Sequence, residues 1–349
     1  MTRLTRRSTL QLAGASLVAA TVPAAASASE DGWTAVETPV DSTLHDVAYT
    51  VTNAHAVAEG GTVLERTETG WEVVLQGGPT GNGNDLYGVA VTDGVSASDA
   101  SGGSSDESDG GERLWIVGAS GAIGEYDVTT GNLVDRSAPN DYTANFNDIA
   151  VTGPAGDADV YVADDSGSIH YSFQNGEEGT WEYVVPGSGS GLKAIEFFDD
   201  RAGHAIDTNG RVFATDDGVT WNPIGIEDAD ATFYGLDSDA ADDVTVSGGN
   251  ASIFEYDGSS ASDASGTSSD EGTESDGGQW VPESLGDADL VDVETDGDTG
   301  YTVGSGGVIF ELSGGEWTLN QTPVGENLQA VADGSVAIAV GSGGTVLER

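Results

Sequence analysis

The chain of 349 residues contains no cysteine, one lysine and one methionine. Without cysteine there are no disulfides, no thiolate metal ligands and no thiol nucleophile, so stability has to come from packing. Basic residues are nearly missing as well: 10 Lys plus Arg stand against 60 Asp plus Glu, a formal net charge of −50 at pH 7. So few cations cannot assemble a basic patch, which argues against nucleic acid and anionic membranes as partners. Long apolar runs are scarce. The stretch from Leu12 to Val22 is too short and too rich in Ala, Gly and Thr to cross roughly 30 Å of hydrocarbon as a retained anchor. The H-E-x-x-H, G-x-S-x-G and Walker spacings do not occur, and His45, His55, His170 and His204 are scattered without metal-ligand spacing.

What is present begins with an export signal. Thr5-Arg6-Arg7-Ser8-Thr9-Leu10 is a twin-arginine pattern, followed by the mildly apolar run and an Ala26-Ser27-Ala28 cleavage-type ending. This order predicts a signal over residues 1–28 and a mature protein released, already folded, to the cell surface or the medium. Arg3, Arg6 and Arg7 leave with the signal, so the mature charge is −50 − 3 = −53. A charge of that size makes a folded chain repel itself at low ionic strength. Salt at 1 M shortens the screening length to about 3 Å. A single lysine with Asp-rich loops resembles proteins of halophilic archaea, which implies a surface suited to salt.

The closing residues VGSGGTVLER (Val340 to Arg349) recur along the chain: VAEGGTVLER from Val57, VGASGAIGEY from Val117 and VGSGGVIFEL from Val303. Looser copies start at Val162, Ile206 and Val246, which makes seven. Each reads as strand, glycine-rich turn, strand, because glycine supplies the positive φ of a tight hairpin and β-branched residues suit a pleated, half-buried surface. Before each hairpin stands an apolar-x-x-apolar strand starting at Leu44, Leu86, Phe146, Leu192, Phe233, Leu290 or Leu328. After the hairpin comes a polar turn and a strand that usually opens at a tryptophan: Trp71, Trp181, Trp221, Trp280 or Trp317. The starts lie 42, 60, 46, 41, 57 and 38 residues apart, a period of about 40 once two inserts are set aside, as in a four-stranded propeller blade. The fold class is therefore all-β, a seven-bladed β-propeller over residues 29–349.

The last unit has only three strands, while Trp33 to Glu37 is a tryptophan strand with no hairpin before it. Pairing the two closes the ring and removes the exposed edges that an open array of repeats, the alternative, would keep. The inserts, Ser96 to Gly111 and Ser260 to Gly278, share SASDASG and carry no large apolar residue, so they are expected to be disordered acidic loops rather than calcium- or partner-binding tethers.

Thr215-Asp216-Asp217-Gly218-Val219-Thr220-Trp221 is similar to an Asp-box, S/T-x-D-x-G-x-x-W, with Ala214 at the first hydroxyl position; such a box pins a hairpin and is not an active site. Taken whole, the mature chain resembles BNR/Asp-box and YVTN/WD40-like propellers, most closely those of the photosystem II assembly-factor type, on its (V/A)G-x-x-G-x-(V/I)-x-(E/R) hairpins and tryptophan strands. In the photosynthetic members the resemblance implies a scaffold that docks other proteins; it carries over no site residue.

The enzymatic alternative, a sialidase-like glycoside hydrolase, needs an arginine triad and acidic catalytic residues. Of Arg66, Arg113, Arg136, Arg201, Arg211 and Arg349, three fall at repeat-equivalent hairpin positions and no three suggest a cluster. Glu65, Glu125, Glu255, Glu311 and Glu348 share one position of the third strand. Symmetry puts them in a ring around the axis, where a cation could sit, or between blades and on the outside, where they bond a neighbour or face water. The sequence thus points to an exported, monomeric, non-catalytic propeller binding a protein or surface ligand, with no catalytic or cofactor-binding residue assigned and the metal question open.

Overall fold

A computed structural model describes residues 32–93, 112–226, 231–257 and 279–349. The signal segment and both acidic inserts lie outside the described residues. Among the described residues the strands form seven antiparallel four-stranded sheets, each running a-b-c-d from the axis outward. The first inserted segment falls between strands a and b of blade 2 and the second between strands c and d of blade 5. The innermost strands are Leu44–Tyr49, Leu86–Val91, Phe146–Thr152, Leu192–Phe197, Phe233–Ala240, Leu290–Asp296 and Leu328–Ala332. Their starts coincide with the seven apolar positions of the repeat.

Closure follows the sequence expectation. Thr34–Val36 pairs antiparallel with the last strand of the chain, in the register Thr34 with Glu348 and Val36 with Val346, and so supplies strand d of blade 7. Trp33 is fully buried; its indole N–H donates to Asn320 Oδ1 of blade 6 at 3.2 Å and its ring meets Tyr301 edge-on. Gly344, the second glycine of the last hairpin, has φ +67°-type left-handed company in Gly343 and itself sits at φ +70°. A Cβ on Gly344 would meet the Val40 carbonyl and the Thr38 hydroxyl, so the fixed glycine serves both the turn and the close passage of the N-terminal segment over it.

The apolar side chains collect in seven clusters, one at each seam between neighbouring blades. Leu44 and Val47 meet Val340 and Val346 between blades 1 and 7, and Phe146 and Ile149 meet Trp115 and Val117 between blades 2 and 3. Within strand a the two apolar residues are three apart, a spacing that strict alternation would send to opposite faces. A β-bulge resolves this. In all seven blades the register of strands a and b skips between the first and third residues of strand a, for example between Leu44 and Asp46 and between Leu192 and Ala194.

The residue after the skipped one clamps the ring. Asp46 accepts the Val47 N–H and, from blade 2, the Val89 N–H, both at 2.8 Å. Asp148 does the same for Ile149 and for Ile195 of blade 4, and Asp292 takes Val331 of blade 7. The equivalent residues in the other blades are small: Gly88, Ala194, Gly235 and Ala330. A Cβ on Gly235 would come within 2.6 Å of the Asp292 Cα, so an aspartate in one blade demands a small neighbour. Seven is odd, so the alternation has to fail once, and it fails at Ala194 and Gly235. Blade 5 is tied instead at the far end of its strand a, where Ser238 Oγ bonds His204 Nδ1 of blade 4 at 2.7 Å and Asp237 accepts the Thr295 hydroxyl of blade 6.

His55 and His204 occupy the same place in strand b of blades 1 and 4, and each is 1% exposed. Burial pushes both imidazoles down to about 4, with Glu65 pulling His55 the other way. The folded value lies below the unfolded one, so the unfolded chain binds more protons between about 4 and 6.5. Stability is complete above that window and declines as pH falls through it, by an amount of order 3 kcal/mol for a group such as His204. Urea unfolding in molar KCl, at about pH 7 and about pH 4.5, checks it. His204→Gln should narrow the difference to the part that His55 keeps; equal stability of the parent protein at both pH values would remove the argument.

Candidate functional site: the axial cavity

The bulges build the site. An extra residue in a bulged strand is left unpaired and its side chain is re-aimed; here the skipped residue of each strand a faces the axis. Going round the ring these are His45, Tyr87, Asn147, Lys193, Tyr234, Val291 and Gln329, and all seven line a cavity of about 560 Å³. Below them stand Asp46, Asp148 and Asp292 with Ala194 and Ala330. Asn145 and Asp289, just before strand a, and Asp165 and Ser305 in b–c turns form the mouth, which therefore opens on the face made by the b–c turns and the connections into strand a.

The polar groups divide into spent and unspent. The three inner aspartates are spent on backbone N–H groups, Asp46 and Asp148 on those of two blades each and Asp292 on that of Val331 in the next blade. Asn145 Oδ1 accepts the Ser120 N–H at 3.1 Å, and Asn147 Nδ2 donates to the Leu192 carbonyl at 2.7 Å. By contrast the side-chain polar atoms of His45, Tyr87, Lys193, Tyr234 and Gln329 have no hydrogen-bond partner among the described residues. His45 Nε2 is buried in that state, its ring set edge-on to Tyr87 at 5.1 Å. Burial pushes the His45 imidazole down although Glu59 and Asp85 pull it up; burial, Asp85 and Asp165 push the Tyr87 phenol up. Both rings are therefore neutral near pH 7. Buried or half-buried polar groups are normally satisfied, so five convergent groups without protein partners mark a place for something else to bind.

The repeated glutamates are elsewhere. None of the five lines the cavity, so the axial-ring alternative does not hold; they sit in strand c, out between the blades. Glu348 takes a bidentate pair of bonds from Arg66 of blade 1, both at 2.9 Å, and one from the Trp71 indole. Glu311 accepts Arg349 of blade 7 at 2.7 Å. Glu125 accepts Arg136 and, across the seam to blade 3, Asn175. Glu65 takes the Asn53 amide at 2.6 Å, and Glu255 borders an outer groove between blades 5 and 6 with Asp243 and Asp298. No group of three or more His, Asp or Glu among the described residues is arranged to hold a metal ion.

The arginines are dispersed in the same way. Arg113 pairs with Asp127 at 3.2 Å, Arg201 with Asp159 at 2.8 Å while lying over the Phe173 ring, and Arg211 donates to Ser188. None of the six lines the axial cavity. His55 and His204 are core residues, and His170 is buried against Asp164 Oδ2 at 3.1 Å, beside Tyr142, which donates to the same oxygen. The acidic turn of blade 4 pins its hairpin as expected but in a frame shifted by one residue. Asp217, not Asp216, accepts the Val219 and Thr220 N–H groups, and the Thr215 hydroxyl takes the Gly218 N–H at 2.9 Å. Those N–H groups hold the Asp217 carboxyl below its ordinary range.

No protein-family model matches the sequence, and no curated protein matches it. Solved propellers do match in fold. YCF48 from Cyanidioschyzon merolae aligns with a TM-score of 0.63 at 16% identity, over 90% of this chain and 98% of that one. A structure described as YCF48 bound to D1 peptide gives 0.64 at 14% identity, over 90% and 96%. Virginiamycin B lyase from Staphylococcus aureus gives 0.65 at 12% identity, over 90% and 97%. At these identities the likeness establishes the β-propeller and nothing about activity, and a lyase among the matches shows that the fold alone does not decide catalysis.

Proposed function

We propose that this protein is a non-catalytic binding and scaffold module that receives a segment of a partner protein at the mouth of the axial cavity. The observation that carries the reading is the set of five ring side chains whose hydrogen-bonding groups are unspent, on a frame whose Asp46, Asp148, Asp292 and Asn147 are consumed in holding blades together. A sialidase-like glycosidase would need an arginine-rich floor and a pair of differently tuned carboxyls; the arginines stand in separate outer contacts, and three of the five cavity aspartates, Asp46, Asp148 and Asp292, are tied to backbone. A protein of the same fold described with a bound peptide lends the reading support by analogy. We further propose that the protein acts as a monomer outside the cell after twin-arginine export, on an acidic surface suited to salt and averse to nucleic acid and anionic membranes.

Photo-crosslinking tests the location. A benzophenone side chain at Tyr234, on the ring, should give a discrete adduct with a partner in a molar-KCl extract of the source cells. The same group at Tyr183, which is 65% exposed on the outer strand of blade 3, should not. Adducts from the outer position alone would move the site away from the axis.

A further inference from the structure

Lys193 is the only lysine of a chain with 60 carboxylates, and the bulge of blade 4 places it in the wall of the axial cavity. Every arginine among the described residues has a side-chain partner, five of the six a carboxylate. Lys193, half-buried, has none among them. The cavity wall also carries Asp46, Asp148, Asp165, Asp289 and Asp292. One ammonium among five carboxylates sets a sign pattern. A plain anion meets a net negative field on entering, and a plain cation is drawn by the aspartates but repelled by Lys193. A molecule carrying both signs satisfies both.

Resting on the reading of the cavity as the seat of a partner segment, we propose that the group this segment inserts is zwitterionic and of amino-acid size, a carboxylate together with a cationic group. The carboxylate lies on the Lys193 ammonium of blade 4, and the cationic group lies toward Asp289 and the Tyr234 ring, which both border Gly249 on the neighbouring side of the mouth. An ammonium–carboxylate contact in a partly dry site is a strong, charge-assisted bond, and phenol faces attract cations. A volume of about 560 Å³ suits a ligand of that size with a few waters. Lys193 acts as the selectivity element: it makes the acidic funnel reject bare amines and inorganic cations that the aspartates would otherwise collect.

Arginine and agmatine separate the contributions, because they share the guanidinium and differ in the carboxylate. Titration calorimetry of the full folded protein in molar KCl should show arginine binding about tenfold more tightly than agmatine or better, although agmatine carries more positive charge. Lys193→Gln, with its circular dichroism unchanged, should reverse that order; Lys193→Arg should keep it. Agmatine binding as well as arginine, an order unchanged in Lys193→Gln, or no saturable arginine binding would each overturn the proposal. If Tyr234 still crosslinks a partner in that case, the cavity remains the binding site and only its ligand chemistry is wrong; if Tyr234 also gives no adduct, both readings fail.

Discussion

Removal of residues 32–40 will leave a chain that no longer melts cooperatively and that associates through the exposed edge of Val346–Glu348. The loss has three parts. The paired strand Thr34–Val36 goes, and with it the only partner of the outer side of strand c in blade 7. The indole of Trp33, fully buried among Val303, Ile309, Leu328 and Leu347, goes too, and a large-to-small change there alone costs about 3–5 kcal/mol. The Thr38 hydroxyl, which donates to the Gly344 carbonyl at 2.7 Å, leaves the last hairpin uncovered. Against a total stability of about 5–15 kcal/mol for a typical fold, this sum is decisive. Trp33→Ala should lower the unfolding free energy by the amount quoted for the indole, and Tyr183→Ala on an exposed outer strand should change little. Because Thr34 faces Glu348 in an antiparallel register, moving residues 32–40 behind Arg349 through a short glycine-rich turn should restore melting. A deletion variant as stable as the parent, or a moved strand that rescues nothing, would show that closure is not what holds the ring.

Closure was legible in the sequence because both unmatched ends are visible in a repeat: a tryptophan strand without a hairpin and a hairpin without a tryptophan strand. The blade count was legible for the same reason. The site was not, and the cause is instructive. Identical residues at a repeated position, such as the five strand-c glutamates, invite a functional reading, yet symmetry repeats what every blade needs, and Glu348, Glu311 and Glu125 turn out to stitch blades together. Binding chemistry lies where the repeat varies, at the second residue of strand a, which is His, Tyr, Asn, Lys, Tyr, Val and Gln in turn. A signal for it was present. Apolar residues three apart, Leu44 and Val47 or Phe146 and Ile149, cannot share one face of a regular strand, so the motif itself encodes a bulge. A bulge in every innermost strand means a ring of extra side chains on the axis. Lys193 was conspicuous as the only lysine, but only the bulge register places it on the cavity wall.

Lowering the salt to about 50 mM will unfold the protein or cost it most of its stability, and KCl at about 1–2 M will restore it, since the screening length shrinks from more than 10 Å to about 3 Å over that range. The net charge of −50 gives the general reason, and particular groups show where the repulsion is concentrated. Burial and the neighbouring Asp242 and Asp296 push the Asp243 carboxyl up; burial and Asp296 push Asp333 up. A carboxyl whose folded value is raised opposes folding once ionised, so these groups favour the fold at low pH and lose that contribution as pH rises past their folded values. Their sign is opposite to that of His55 and His204. At low salt, mild acidification should therefore stabilise the protein by relieving carboxylate repulsion; in molar KCl, with repulsion screened, the same acidification should destabilise it through the buried histidines. Asp296→Asn, which removes the charge acting on both Asp243 and Asp333, should raise stability at low salt and leave it nearly unchanged at high salt. Circular dichroism melts across a grid of salt and pH would check this crossing. A fold that is equally stable at about 50 mM and about 2 M KCl, where screening differs severalfold, would mean that the acidic surface does not govern stability at all.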